Sequence, residues 1–427
     1  MKCRVCDANL SHTFLNLGHQ PPSNSLLTRE KLSQPEVTFP LVAMVCDNCR
    51  LVQVPESKSA NEIFDKEYVY FSSGSRAWLD HSSAFAKMAK ERFKLNKNSK
   101  VVEIASNDGY LLKNFVEMQV PCLGIEPASG PARTAKINGI PTLTEFFNSQ
   151  LASKLSIESG KADLIIGNNV LAHVPGLNDF VQGMKYLLKP QGTITMEFPH
   201  LCRLVDGNQF DTIYQEHFSY FSLTSVSTVF NNQGLRIFDV EVLPTHGGSL
   251  RIYANHSEDI RATLSSVTSL LEREATIGIK TDAYYDNFRV KAEKARSEFL
   301  LFLLSERRAS KTVVALGAAA KGNTFLNFCG VHPDLVSRVS DNTPFKIGKF
   351  LPGSHIPVCS EDTVFKDVVD YALILPWNHR DEIIQKFRDK AKRHNTRFVT
   401  AIPNLQVYSP PDFTPKNLSY LVKPIYQ

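Results

Sequence analysis

No stretch of this 427-residue chain approaches the 18 or so consecutive apolar residues of a membrane-spanning helix. Its first residues, Met1-Lys2-Cys3-Arg4, lack the apolar core of a secretion signal. A cytosolic protein with reduced thiols is therefore expected. Its eight cysteines are then metal ligands or core residues, not a disulfide set. A dense basic stripe is missing as well. The 48 Lys and Arg exceed the 43 Asp and Glu by a formal charge of only +5. The one basic cluster, Lys386–Arg397, reads as the solvated face of a helix. This argues against a nucleic-acid partner and for an anionic small molecule. What remains is ordinary: 43% hydrophobic and 21% charged residues, enough to bury cores without covalent staples. The expected state is a monomer or weak oligomer with no membrane partner.

Three blocks are separable. Residues 1–65 are rich in Pro, Asn and Ser and carry two cysteine pairs. Residues 66–255 alternate short apolar runs with helical stretches, the rhythm of an α/β domain with a mostly parallel sheet. The runs are Lys100–Ile104, Cys122–Glu126, Ala162–Gly167, Gly192–Phe198, Arg236–Leu243 and Ser249–Ala254. Residues 256–427 open with one or two helices over 258–307, a stretch with no Pro. The α/β rhythm then restarts, with strands expected at Lys311–Leu316, Leu335–Ser340, Tyr371–Leu375 and Arg397–Ala401.

Cys3 and Cys6 form a C-x-x-C pair, and Cys46 and Cys49 repeat it. Two such knuckles converge four thiolates on one ion, which makes a closed, structural zinc site with no position left for water. A redox C-x-x-C sits between a strand and a helix, and neither Arg4-Val5 nor Asp47-Asn48 provides that setting. The remaining cysteines, Cys122, Cys202, Cys329 and Cys359, lack partners at ligand spacing.

The run Val101-Val102-Glu103-Ile104 leads into Ala105-Ser106-Asn107-Asp108-Gly109 and then a helix-like segment. A strand, a tight turn and a helix start form a nucleotide-binding layout. The next strand ends in Glu126-Pro127, where an acid accepts ribose hydroxyls. Phe147 and Asn148 suit an adenine face and its exocyclic amine, and Asn168-Asn169 suit a methionine moiety. In order, these features favour an S-adenosylmethionine site over a dehydrogenase, although Ala105 stands where such turns often carry Gly.

Acceptor chemistry is sought in Tyr68–Ser75, in Leu171-Ala172-His173-Val174-Pro175, and in the tract Phe210–Tyr220 with Tyr214, Glu216 and His217. A carbon becomes nucleophilic after loss of a proton beside a carbonyl. A His is the natural base, and Tyr or His donors steady the enolate. Oxygen or nitrogen methylation remains open on these residues alone.

The chain resembles the nucleotide-sugar C-methyltransferases of branched-chain deoxysugar biosynthesis, the tetronitrose and mycarose type. The resemblance covers essentially the whole chain. It is carried by the cysteine pairs, Gly18-His19-Gln20-Pro21-Pro22-Ser23-Asn24, Tyr70-Phe71-Ser72-Ser73-Gly74-Ser75 and Glu103–Leu112. It continues through Asn168–Pro175, Glu197-Phe198-Pro199-His200, Tyr214–Tyr220 and Thr245-His246-Gly247-Gly248-Ser249-Leu250-Arg251. It implies a class I methyltransferase Rossmann-like domain flanked by an N-terminal zinc-binding domain and a C-terminal Rossmann-like domain. It also implies a nucleoside-diphosphate 4-keto-6-deoxy sugar methylated at carbon 3. His217 then looks like the base, and Tyr214, Glu216, His173 and Tyr68 or Tyr70 would line the sugar site. Gln215 departs from the His that relatives often carry.

In the last block, Gly317-Ala318-Ala319-Ala320-Lys321-Gly322-Asn323-Thr324 follows a strand and is expected to cradle a diphosphate, without Walker spacing. Lys321, Asn323, His246, Arg251 and Asp341 are the expected substrate-binding residues, with Asp341 in the place of a ribose-binding acid.

Overall fold

The computed structural model describes residues 1–59, 62 and 71–417. The chain forms two compact units, each gathered from discontinuous segments. One unit joins Met1–His12, Val45–Leu201 and Glu216–Lys280. The other joins Thr13–Met44, Cys202–Gln215 and Thr281–Gln427.

The first strands in the chain are β1 (His12–Gln20), β2 (Phe39–Val45) and β3 (Val52–Gln53). In the first unit, β4 (Val101–Ile104), β5 (Cys122–Ile125), β6 (Thr142–Leu143), β7 (Ala162–Asn168) and β8 (Leu188–Pro199) follow. Then come β9 (Ser219–Tyr220), β10 (Leu235–Leu243) and β11 (Ser249–His256). Seven of these make one sheet, in the order β10-β11-β8-β7-β4-β5-β6. Strands β4 to β8 are mutually parallel, whereas β11 runs antiparallel to both β8 and β10. This is a class I methyltransferase sheet, as the resemblance implies.

Alternation explains why the sheet is buried on both faces. Val102, Ile104 and Ile165 point to a core with Phe180, Met184, Met196, Phe198 and Phe230. Val101, Leu164 and Ile166 point the other way, onto Phe85, Leu111 and Phe115. Every apolar run expected as a strand in this unit is a strand. The short strands β3 and β9 pair with Gln53 opposite Ser219.

The stretch read as one or two helices holds two, Ser265–Thr276 and Asp282–Arg308. The first belongs to the first unit and the second to the other. Glu274 on the first is 1% exposed and engages a complete set of donors. These are His200 Nε2 at 2.8 Å, the Leu223 and Thr224 amides at 2.7 and 2.8 Å, and Thr224 Oγ1 at 2.6 Å. Ser222 completes the N-terminus of helix Leu223–Asn232 through a capping box with Ser225.

In the second unit, β12 (Val313–Leu316), β13 (Val339–Asp341), β14 (Val358–Ser360), β15 (Tyr371–Ile374) and β16 (Arg397–Thr400) are parallel. Strands β17 (Gln406–Ser409) and β18 (Thr414–Asn417) add antiparallel. The order β14-β13-β12-β15-β16-β17-β18 is Rossmann-like. Helix Asp282–Arg308 buries Tyr285, Phe288, Ala292, Ala295, Phe299, Phe302 and Leu303, a helical spacing of threes and fours. Phe288 stacks on Phe14 at 4.7 Å.

Candidate active site and metal centre

The donor loop turns at Ala105 and Asn107, both left-handed at φ 56° and 50°, and at Gly109, φ 79°. A Gly at 105 would meet this conformation without the steric cost that Ala carries, which explains why turns of this kind favour Gly. The Ala105 amide donates to the Ile125 carbonyl at 2.8 Å. Gly124 lets the loop approach: a Cβ there would lie 2.4 Å from Ser106 Oγ. Glu126 accepts the Asn107 amide at 2.9 Å and the Ala128 amide at 2.8 Å, closing the turn that contains Pro127. Burial pushes the Glu126 carboxyl up to about 7. Glu103 is wholly buried, and burial holds its carboxyl well above the usual range.

Segment 71–74 sits against this loop. The Ser72 amide donates to Asn107 Oδ1 at 2.9 Å and the Ser73 amide to Asp108 Oδ2 at 3.2 Å. Ser106 Oγ, Asp108 Oδ1 and both polar atoms of Asn168 are buried without a hydrogen-bond partner among the described residues. Buried polar groups require partners. A ligand with an amine, a carboxylate and ribose hydroxyls supplies them, so these residues fit S-adenosylmethionine. Phe147 packs edge-on against Phe180 at 5.3 Å. Asn148 uses its Oδ1 to cap helix Ser149–Glu158 through the Leu151 amide, at 2.8 Å.

On the acceptor side, the turn Leu171–His173 follows β7. The Phe218 amide donates to the Ala172 carbonyl at 2.7 Å, which brings His217 beside His173. The two rings meet edge-to-face at 4.7 Å, and His217 lies 6.2 Å from Tyr220. Burial pushes the His173 imidazole down to about 4, so it is neutral at pH 7. Glu216 and His217 belong to the donor unit, and Tyr214 and Gln215 to the second. Gln215 Nε2 donates to the Gln20 carbonyl at 3.0 Å. Tyr68 and Tyr70 lie outside the described residues.

A second cluster gathers on Glu197, a residue that the sequence placed in a resembling segment without giving it a role. Glu197, fully buried at the end of β8, is in register with Asn168. It accepts from Arg251 at 2.7 Å and Thr245 Oγ1 at 2.9 Å, and it contacts His81 Nε2 at 2.9 Å. His81 and Arg251 hold its carboxyl below the ordinary range against the effect of burial. Arg251 also reaches Glu241 at 3.3 Å and lies over the Phe85 ring. Its guanidinium is thus engaged by two carboxylates and braces the unit from within. His246 sits at φ 54° and packs edge-on against Trp78, which stacks on His81. One signal was available: Glu197 is the one acid in the run Gly192–Phe198.

In the second unit, the turn after β12 opens at Gly317, φ 83°, where a Cβ would meet Pro376 at 2.6 Å. Ser23 Oγ and Thr324 Oγ1 are 3.0 Å apart, so the segment 18–24 meets this motif. Asp341 accepts the Ala318 amide at 2.9 Å and pairs with Lys346 at 3.2 Å. Although burial pushes it up, Lys346 and Thr343 hold its carboxyl below the usual range. Asp341 thereby closes the turn, as Glu126 does in the first unit. Lys321 lies over the Trp377 ring at 4.5 Å and bonds Asn378 Oδ1. Trp377 Nε1 donates to the buried Asp211 at 2.8 Å, beside a cavity of only about 10 Å³. Lys321 is thus half-buried, its ammonium held between Trp377 and Asn378. Asn323, 1% exposed, keeps both amide atoms without a partner among the described residues.

The four cysteines converge. Cys3 and Cys49 sulfurs are 3.5 Å apart, as are those of Cys6 and Cys46, and all four lie within 4.8 Å of one another. Zinc–sulfur bonds of about 2.3 Å in a tetrahedron need sulfurs at this kind of separation. The contact with Cys49 lowers the Cys3 thiol below its ordinary value. Gln53 Nε2 donates to Cys3 Sγ at 3.3 Å, an outer contact of the type that orients metal ligands. The set fits a closed zinc site.

Among the described residues, no helix is long and apolar enough to cross a membrane. Family models match in three consecutive pieces. Residues 3–64 match "Putative zinc binding domain", 77–240 "Methyltransferase domain" and 244–403 "C-methyltransferase C-terminal domain". The C-methyltransferase NovU of Streptomyces niveus is 32% identical over 408 residues, 96% of this chain and 97% of that one. A ubiquinone biosynthesis O-methyltransferase of Bartonella tribocorum is 28% identical over 96 residues, 22% of this chain and 39% of that one. The likeness to an oxygen-methylating enzyme is thus confined to a short segment, whereas the likeness to a carbon-methylating one spans both chains. Oxygen and nitrogen methylation, open on the residues alone, give way to carbon. The chain belongs to the C-methyltransferase family, as an enzyme that takes its methyl group from S-adenosylmethionine and carries a zinc-binding N-terminal domain.

Proposed function

We propose that the enzyme methylates carbon 3 of a nucleoside-diphosphate 4-keto-6-deoxy sugar, with His217 as the base, in the cytoplasm. The observation that carries this reading is the His173–His217 pair, its rings 4.7 Å apart. A neutral His173 beside His217 leaves one imidazole to take a proton and another to hold a hydrogen bond.

S-adenosylmethionine supplies an electrophilic methyl group on sulfur. His217 accepts the proton from carbon 3, and the C–H electron pair becomes the enolate conjugated with the 4-keto oxygen. That pair would take the methyl group, leaving the carbon–sulfur electrons on sulfur, while the proton is held on the His217 imidazole. Glu216 and Tyr214 are assigned to sugar hydroxyls, with Tyr68 or Tyr70. In the second unit, Asn323 is assigned to the sugar nucleotide, a reading supported by its buried amide, which has no partner among the described residues. Lys321 and the first turn of helix Ala320–Cys329 add positive character there.

Exchange of the carbon 3 hydrogen with D2O in the absence of donor tests the reaction. The wild type should exchange and His217→Ala should not. Full exchange by His217→Ala would remove the base assignment. Titration with thymidine, guanosine and cytidine diphosphates, comparing Asn323→Ala with the wild type, tests the nucleotide subsite, and equal affinity would count against it.

A further inference from the structure

The spacer of a zinc knuckle needs only backbone N–H groups facing the metal. Arg4, between Cys3 and Cys6, does more. Its Nη1 donates to the Phe218 carbonyl at 3.1 Å, and its guanidinium lies 5.4 Å over the Phe218 ring. Its own amide donates to Gln53 Oε1 at 3.0 Å, with Nη1 3.5 Å from the same atom. Gln53 in turn donates to Cys3 Sγ and sits opposite Ser219 in the β3–β9 ladder.

Phe218 directly follows His217. Its carbonyl receives Arg4 and also the Val54 amide at 3.0 Å, while its N–H is fixed on Ala172, the neighbour of His173. Both ends of the residue that carries His217 into β9 are therefore tied. One tie runs to the zinc knuckle and the other to the turn that presents His173.

We propose that Arg4 is a positioning residue: it couples the zinc knuckle to the Phe218 peptide and thereby sets where the His217 imidazole stands relative to the acceptor carbon. The zinc domain then serves the proton-transfer step and not only the stability of the fold. This inference rests on the reading of His217 as the base. A displacement of about 1 Å at a reacting group can cost on the order of 100-fold in rate, which sets the scale.

The test uses the full chain. Arg4→Met should bind one zinc and bind S-adenosylmethionine as the wild type does. Its maximal rate of donor-free exchange at carbon 3 should fall about 10- to 100-fold, with the KM for the keto sugar changed less than about twofold. In protein labelled at histidine Cε1, the His217 ring resonance should move while that of His256 stays. Arg4→Lys keeps a charge and one donor, and should exchange at an intermediate rate, about 3- to 10-fold below the wild type. If Arg4→Met does not fold, Arg4→Lys decides. Wild-type exchange in the folded variant overturns the proposal, as does a fall confined to KM. His217→Ala run alongside separates the two ideas. If it exchanges normally, the base reading fails; if it is inert while the Arg4 variants are unaffected, only the positioning role fails.

Discussion

Glu126 gives donor binding a pH dependence whose size follows from its burial. Its two N–H partners do not offset the loss of hydration, and the carboxyl stands near 7 in the donor-free protein. Ribose hydroxyls donate to the ionised form, so binding requires loss of that proton. The ionised fraction is about one tenth at pH 6, one half at pH 7 and nine tenths at pH 8. S-adenosylmethionine affinity should therefore rise about tenfold from pH 6 to pH 8. The sign for stability is opposite in the free protein. A carboxyl raised on folding favours the native state below its unfolded pKa of 4.5, and that advantage is lost as pH rises through about 7. The donor should then stabilise the protein more at pH 8 than at pH 6. Calorimetric titration at pH 6, 7 and 8 measures the first effect, and melting with and without donor the second. Glu126→Gln should bind more weakly and with a flatter profile. A wild-type affinity constant across this range would refute the assignment of Glu126 to the donor.

Glu274→Ala would leave His200 and two helix N-terminal amides without their buried acceptor, at a cost of about 3–5 kcal/mol. For a unit of 150–250 residues this is roughly 6–20 °C in melting temperature, and a shift under 2 °C would contradict it. Burial raises the Glu274 carboxyl but His200 and Thr224 outweigh it, so its contribution holds above pH 4.5 and fades as acid titrates the lowered group. Chelation of zinc, or Cys46→Ser, should lower the melting temperature and abolish stoichiometric metal by atomic absorption; an unchanged melt in metal-free protein would count against a structural zinc.

The central sheet was legible because its strands are short, apolar runs with helical stretches between them. Val101–Ile104 and Ala162–Asn168 announce themselves without any partner in view. Strand β1 does not: His12–Gln20 buries Phe14, Leu15 and Leu17 amid polar residues, in a segment whose Pro and Asn content reads as loop. Its pairing with residues far along the chain, such as Phe14 on Phe288, has no local signature.

The site divides in the same way. Ser106, Asp108 and Glu126 are recognisable because strand, turn and helix follow one another. Glu197 acquires meaning only from the register that sets it opposite Asn168 and Arg251, residues 29 positions before and 54 after it. Arg251 and Asp341 read as ligand-binding charges in the sequence, and their internal partners, Glu197 and the Ala318 amide, are too distant in it to be foreseen. Lys321 is similar: nothing near it announces that Trp377 will cover its ammonium.

The alternation of segments between the two units also orders events on the ribosome. Six segments mean that the chain leaves one unit for the other five times. Residues 13–44 emerge early, yet their structural companions from Thr281 onward follow roughly 240 residues later. At about 5–20 residues per second, that delay is on the order of 10–50 s. During this interval the two cysteine pairs can already gather their metal, holding the waiting segment as a closed loop between them. Neither unit can be excised as a continuous fragment, so any attempt to express one alone has to splice the chain.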